Sequence, residues 1–180
     1  RENVPGKIRV LSVASGPAME VQKLIADKDF PLERIEFCLL DQDLDSLKHA
    51  QRQILEQARL HNREINLKLY NLHIKQVIEK GAPERDFDLI YSAGLFDYFT
   101  DPVAIFAASQ LFESLAKGGR LVIGNFSLSN PNQFAMDLIM DWQLVYRSDE
   151  DMKRLFGRLP GVYTLEQEEQ GINFFANIIK

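Results

Sequence analysis

The sequence is poorest in the residues that metal sites and disulfide frameworks require: one cysteine and three histidines among 180 residues. Cys38 stands alone in an apolar run, so no disulfide can form within the chain. His49, His61 and His73 are too far apart for metal-ligand spacing, and no metal is expected. No apolar run approaches the roughly 20 residues of a membrane span. No signal peptide opens the chain, so a cytoplasmic location is expected. The first residue is Arg1 and not Met, and the expectation is that an N-terminal region of a longer protein precedes it. A basic excess is missing too: 21 lysines and arginines against 26 acids give a net charge of -5. Broad phosphate-binding faces have the opposite sign, so nucleic acid is not an expected partner. What remains is a chain 46% hydrophobic and 26% charged, long enough for one sizeable core. A single domain over residues 1–180 is expected.

Apolar runs of strand length alternate with helical patterns. Residues 7–13 read as a strand, and 18–26 as a helix with Met19, Leu24 and Ile25 among its apolar positions. A second strand at 35–40 is stopped by Asp41. A long helix at 44–60 carries a stripe of Leu44, Leu47, Ile54, Leu55 and Ala58 near the 3.6-residue period. Residues 65–70 alternate clearly, which suits a strand near a sheet edge. A short helix at 74–79 and a strand at 87–92 follow. Asp101 as cap and Pro102 in the first turn start a helix reaching about residue 115. Lys117-Gly118-Gly119 reads as the turn after it, leading into a fifth strand at 120–125. Helices at 132–140 and 149–156 flank an irregular stretch, and strands at 162–166 and 174–179, joined by a turn at Gly171, close the chain as an antiparallel pair. Phe106, Phe112, Phe174 and Phe175 are candidates for sheet–helix packing.

This order predicts an α/β fold: an open, doubly wound, mostly parallel seven-stranded sheet with an antiparallel C-terminal hairpin. In such sheets a ligand lies beyond the carboxyl ends of the strands, near the switch in strand order. The residues at those ends are small or polar: Ser12 and Ala14-Ser15-Gly16 after the first strand, Asp41-Gln42 after the second, Asn71 after the third, Ser92-Ala93-Gly94 after the fourth, Asn125 at the fifth. Ser15-Gly16 brings backbone close to a ligand or simply makes a tight turn. Asp41 is placed to accept two ribose hydroxyls. Asp43 suits a helix cap and Asp45 a solvated first-turn acid. Ala14 and Ala18 stand where a dinucleotide fingerprint would have glycines, and no GKS or GKT follows the first strand, which argues against a pyrophosphate cradle and excludes a P-loop.

Taken together, these tips resemble the class I S-adenosylmethionine-dependent methyltransferases over nearly the whole chain. VLSVASGPA at 10–18 is similar to the first motif of that family, LLDQD at 39–43 to its acidic second-strand motif, FDLIYSAGLFDYF at 87–99 to its fourth-strand motif, and LAKGGRLVIGNF at 115–126 to the stretch around the fifth strand. The departures are Ser12 in place of an acid, Ala14 and Ala18 in place of glycines, and Lys117 in place of proline. The resemblance implies a Rossmann-like methyltransferase fold with S-adenosyl-L-methionine as cofactor. It implies binding by Ser12, Ala14, Ser15, Gly16, Asp41, Gln42, Asn71, Ser92, Ala93 and Gly94. The segment at 125–147 resembles one in bacterial methyltransferase-like proteins, some fused to regulatory domains and some linked to methyl esters of hydroxy fatty acids. That implies a small-molecule acceptor methylated on a carboxyl or hydroxyl oxygen.

Methyl transfer from a sulfonium needs alignment more than covalent help, and no catalytic base is evident; the three histidines fall away from the expected methyl site. Asp97, Tyr98, Asn125, Trp142, Tyr146 and Arg147 are the acceptor-side candidates. Trp142, Tyr146 and Arg147 fit an apolar pocket with one positive anchor; the alternative for Arg147 is a surface pair with Asp141 or Asp149. Two rival functions stay open: a noncatalytic module that binds S-adenosylmethionine, favoured by Ser12, Ala14 and Ala18, and an NAD-dependent enzyme.

Overall fold

The computed structural model describes residues 6–139 and 141–180. The elements are β1 (Ile8–Val13), α1 (Met19–Ala26), β2 (Ile35–Asp41), α2 (Leu44–Leu60), β3 (Asn66–Asn71), α3 (Ile74–Lys80), β4 (Phe87–Ser92), α4 (Asp101–Glu113), β5 (Leu115–Phe126), α5 (Gln133–Leu138), α6 (Asp149–Phe156), β6 (Val162–Gln167) and β7 (Asn173–Ile179). They form one seven-stranded sheet in the order β3-β2-β1-β4-β5-β7-β6. Strands β1 to β5 pair in parallel. β7 runs antiparallel between β5 and β6. The expected doubly wound Rossmann-like sheet is therefore present, with alternating β3 at one edge.

The side-chain pattern explains the layering. Strand residues alternate between faces, so Leu11 and Val13 of β1 join one core cluster and Val10 the other. The first cluster lies under α3, α4 and α6 and includes Ile90, Leu111, Phe112, Ile123, Phe156 and Ile178. The second gathers Phe37 and Leu39 with Val21 and Ile25 of α1 and Leu47 and Ile54 of α2. Each fully buried aliphatic of this kind stabilises the fold by about 1.5–3 kcal/mol. The buried stripe of α2 is Leu47, Ala50, Ile54 and Ala58, while Leu44 and Leu55 face solvent. Phe112 and Phe174 pack as expected; Phe106 is exposed.

Three local expectations are corrected. The N-cap of α4 is Thr100, with Asp101 inside the helix, where its carboxylate meets two arginines instead of the backbone. Lys117-Gly118-Gly119 does not separate α4 from a later strand. β5 already pairs at Leu115 with Phe87, then shifts register before Arg120 meets Leu89. Gly119 lies inside that irregularity, where a Cβ would come within 2.7 Å of the Phe87 carbonyl oxygen. The helix expected over 132–140 is shorter, α5, with Asn132 as its N-cap; Met140 lies outside the described residues.

No described helix is long and apolar enough to cross a membrane.

Candidate functional site

The β1–α1 turn is built from three left-handed residues: Ala14 at φ 55°, Gly16 at φ 49° and Ala18 at φ 47°. Left-handed geometry costs an alanine roughly 1–2 kcal/mol, so the two alanines hold a shape that glycine would adopt freely. Hydrogen bonds impose it. Ser15 N–H donates to the Leu40 carbonyl at 3.1 Å, and Ala18 N–H to the Ser15 carbonyl at 3.0 Å. Gly16 N–H donates to Asp41 Oδ2 at 2.9 Å. Nothing lies within 4 Å of where a Gly16 Cβ would be, so the turn is open above. Ser15 Oγ is buried without a partner.

Asp41 ends β2 and faces this turn. Its second oxygen, Oδ1, accepts Asp43 N–H at 2.9 Å. Each carboxylate oxygen thus holds one backbone donor and keeps further acceptor capacity. Asp43 caps α2, accepting Asp45 N–H and the Ser46 hydroxyl, which holds its carboxyl below the usual range. Asn71 points its amide at the Asp41 and Gln42 carbonyls, at 3.1 and 3.0 Å, and so fixes the β2 tip. Beside Asp41 a slot of about 70 Å³ is lined by Ala14, Leu40, Gln42, Leu72, Ile74 and Leu95. Leu72, Ile74 and Leu95 escaped the sequence reading; their signal is an apolar residue directly beyond a polar strand tip. A larger hollow of about 630 Å³ lies between the end of α2 and the start of β3, lined by Glu33, Arg59 and Arg63 among others. It lies at the amino-terminal end of β3, away from the tips, and its size reflects an open surface depression. The slot beside Asp41 is the better candidate.

On the β4 side, buried Ser92 donates its hydroxyl to the Val13 carbonyl at 3.0 Å, tying the β4 tip to the β1 tip. Ala93 and Gly94 beyond it are exposed. Ser12 is buried next to Tyr91 across the β1–β4 ladder. The Tyr91 hydroxyl donates to the Glu20 carboxylate in the first turn of α1.

The β5 side is different in kind. Arg147 is 1% exposed. Its guanidinium donates to the Phe96 carbonyl at 2.9 Å, the Phe99 carbonyl at 2.7 Å, Asp101 Oδ1 at 3.2 Å and the Asn125 side-chain oxygen. The Asn125 amide donates in turn to the Val145 carbonyl at 2.9 Å. This overturns the expectation of a free positive anchor. The two terminal nitrogens of the guanidinium have their acceptors inside the protein, while Nε is buried without a partner, and its acid is Asp101, not Asp141 or Asp149. Asn125 is likewise fully buried and part of that clamp. Asp97 is buried beside it: Oδ1 accepts Phe126 N–H at 2.6 Å, and Oδ2 has no partner. Burial pushes its carboxyl up to about 6, against the opposing pull of Phe126 N–H and Arg147. The clamp presents an aromatic wall outward. Trp142 donates its indole N–H to the Tyr98 hydroxyl. Phe126 packs edge-on against Trp142 at 6.3 Å and tilted against Tyr146 at 6.2 Å between ring centres. Tyr146 donates to Asp137 at 3.1 Å. The histidines stand apart: His73 caps α3 through Nδ1, and His61 follows the last turn of α2.

The tips therefore divide. Ala14, Asp41 and Gln42 line one slot, and Ser15 and Gly16 belong to the turn bonded to the β2 end beside it. Ser12 and Ser92 brace the strands below it, with Ala93 and Gly94 open beyond β4. Tyr98, Trp142 and Tyr146 form a separate wall, held by Asn125 and Arg147. Among the described residues no cluster suits a metal ion.

A family model described as a methyltransferase domain matches residues 6–173. No curated protein sequence matches the chain. Among solved structures, a Bordetella parapertussis protein described as a possible exported protein superposes with TM-score 0.76 and 18% identity, over 97% of this chain and 62% of its own. An O-methyltransferase family 2 protein from Planctomyces limnophilus, in complex with apigenin, gives 0.70 and 18%, over 100% and 54%. The magnesium protoporphyrin IX methyltransferase of Synechocystis, with bound S-adenosylhomocysteine, gives 0.67 and 9%, over 98% and 75%. At these identities the likeness is one of fold, and the chain spans less than two thirds of the first two.

Proposed function

Because the chain belongs to the methyltransferase domain family, we propose that it binds S-adenosyl-L-methionine over the tips of β1, β2 and β4 and transfers the methyl group to an oxygen of a small molecule. The observation that carries this reading is Asp41: a carboxylate locked to the Gly16 turn, with acceptor capacity left over, beside an apolar slot. A nucleoside has the matching halves, a flat ring and a pair of hydroxyls. Asp41 would take the ribose hydroxyls, and Gln42, Leu72, Ile74 and Leu95 the ring. The slot as it stands has room for about two waters, so its side chains must part to admit a ring. Open backbone at Ser15, Gly16, Ala93 and Gly94 leaves space for the rest, and Asn71 positions Asp41 and Gln42.

The cofactor supplies a methyl group already activated on sulfur, so the protein's task is to align the acceptor and exclude water. Tyr98, Trp142 and Tyr146 form the acceptor wall in this reading. Exposed Leu128, Phe134, Leu138 and Ile139 extend it as an apolar surface, which favours an acyl or otherwise apolar acceptor. A carboxylate acceptor needs no base, whereas a hydroxyl does; Asp97, whose carboxyl is lifted to about 6, lies sealed behind the wall with its free oxygen buried, so a carboxylate oxygen suits this site better. A cytoplasmic location is part of this reading; the single cysteine, Cys38, is buried, and burial pushes its thiol up to about 11.

The strained Ala14 and Ala18 favour one alternative, a domain that keeps the cofactor and has lost turnover. Release of S-adenosylhomocysteine from a metabolite extract separates the two. Titration calorimetry with S-adenosylmethionine and S-adenosylhomocysteine tests the reading itself. Asp41→Ala is expected to weaken binding by about 1.5–3 kcal/mol; a folded wild type giving no heat at roughly 1 mM ligand would end it.

A further inference from the structure

Two buried groups of opposite kind stand without partners in the clamp behind the aromatic wall. Asp97 and Arg147 are each 1% exposed. Among the described residues neither Asp97 Oδ2 nor Arg147 Nε has a hydrogen-bond partner. An ionised carboxylate oxygen accepts and a guanidinium nitrogen donates, so the two are complementary. The chain brings them together from both sides. Arg147 donates to the carbonyl of Phe96, next to Asp97, and to the side chain of Asn125, next to Phe126. Asp97 takes the Phe126 N–H on Oδ1, and its own carbonyl takes the Val145 N–H at 2.7 Å. Phe126 accepts the Arg147 N–H at 3.0 Å. Asp97 therefore holds both the end of β5 and the 141–147 strap. Yet it is not paired with Arg147, whose acid is Asp101 at 3.2 Å.

The surrounding charges leave Asp97 one partner. Asp101, on α4, is shared between Arg147 and Arg154 of α6. On the strap, Tyr146 faces Asp97 and gives its hydroxyl to Asp137 of α5. Beside Asp97 in the chain, Tyr98 accepts the Trp142 indole N–H. Phe126 and Asn125, from β5, are uncharged. The cation that acts on Asp97 is Arg147. Burial keeps the Asp97 carboxyl protonated up to about 6. A neutral carboxyl tolerates such a place, whereas a charged one with a bare oxygen does not. Once ionised, Asp97 finds its remedy in the spare Nε–H of Arg147. The guanidinium is a rigid plane, so turning Nε towards Asp97 draws its terminal nitrogens off the Phe96 and Phe99 carbonyls.

We infer that Asp97 is a positioning residue for the aromatic wall: protonated, it leaves Arg147 clamping the strap to the 96–99 turn, and ionised, it draws Arg147 away and loosens the strap that carries Trp142 and Tyr146. The wall thus has two arrangements, and an acceptor enters the looser one; that last step rests on the reading of the wall as the acceptor's.

Trp142 is the only tryptophan among the 180 residues, so its emission reads the wall directly. Its emission maximum and its quenching by acrylamide are followed between about pH 5 and pH 7. Wild type is expected to shift to longer wavelength and to become more readily quenched, with a midpoint near 6. Asp97→Asn keeps an acceptor for the Phe126 N–H and cannot ionise, so its emission stays at the low-pH value throughout. Asp137→Asn, which removes the acid bonded to Tyr146, keeps the wild-type transition. The three histidines are common to all three proteins and drop out of the comparison. A wild type with flat emission across the window overturns the inference without any variant. A transition that survives in Asp97→Asn, or that Asp137→Asn abolishes, overturns it as well. Calorimetry of wild type with S-adenosylhomocysteine keeps this apart from the methyl-donor reading. No binding overturns that reading and the wall's role towards an acceptor, while the Trp142 titration still decides whether Asp97 moves the strap.

Discussion

The two halves of the strand-tip edge use polar side chains in opposite ways. Around β1 and β2, Asp41 and Asn71 bond only to backbone N–H and carbonyl groups and remain reachable from outside. Around β5, Asp97, Asn125 and Arg147 are sealed in, each 1% exposed or less, and bond to the chain from the inside. The first arrangement shapes a turn and keeps acceptors for a ligand. The second uses its donors to hold the 141–147 stretch against β5 and the start of α4. Residue type alone does not tell these apart; an arginine among aromatics reads as an anchor in sequence and is a clamp in the fold.

The sharpest way to break this contrast is at Arg147. Arg147→Ala leaves carbonyls of Phe96 and Phe99 and the Asn125 oxygen without a buried donor. A loss of about 3–5 kcal/mol is expected, read as a lowered denaturant midpoint with unchanged slope. An Arg147→Ala protein of wild-type stability that loses only acceptor affinity would make Arg147 an anchor after all.

Asp97 comes next, through pH. Its carboxyl stands at about 6 in the fold against 3.8 for the free group. A raised carboxyl pKa means the folded state favours the protonated form. The stability this gives is fully present below about pH 4 and is lost as pH rises through 6. The swing amounts to about 3 kcal/mol, undiluted by solvent because the side chain is 1% exposed. Asp97→Asn removes it, so wild type should lose stability relative to the variant between pH 4 and pH 7. Asp101 and Asp151, held low by Arg154, act in the opposite direction in both proteins and cancel in the difference. A flat difference curve across that window would show that Asp97 is not sealed as described.

The smallest effect belongs to the open half. Ala14 is exposed and left-handed, so Ala14→Gly relieves strain without leaving a cavity. A gain of about 0.5–1 kcal/mol is expected, visible as a higher melting temperature. A loss would mean that the turn is not held in the left-handed geometry in solution.

Much of the frame was legible because it depends on period and on near neighbours. α2, β4 and α6 fall where the pattern puts them. Where ends differ, as at Asp41, Asn71 and Gln167, a polar residue continues the ladder by one place, and hydrophobic pattern is blind to backbone pairing. The Gly16–Asp41 meeting was readable because both residues sit at tips of adjacent parallel strands. The clamp was not, since its acceptors are largely main-chain carbonyls, which every residue has, some fifty positions away. The slot was half legible: Ala14, Asp41 and Gln42 stood out, while Leu72, Ile74 and Leu95 carry no chemistry that marks them in a sequence.

The place of β7 between β5 and β6 carries a consequence for biosynthesis. Chains emerge N-terminus first. β5 is made before α5, α6 and β6, yet it finds its second neighbour only when residues 173–179 appear. β6, made earlier than β7, has no partner at all until then. One strand therefore closes two open edges at once, late and over a long sequence separation, which slows folding. Until that moment a nascent chain displays an unpaired edge at β5, with Leu121 and Ile123 not yet covered by β7, the kind of surface on which other chains add strands.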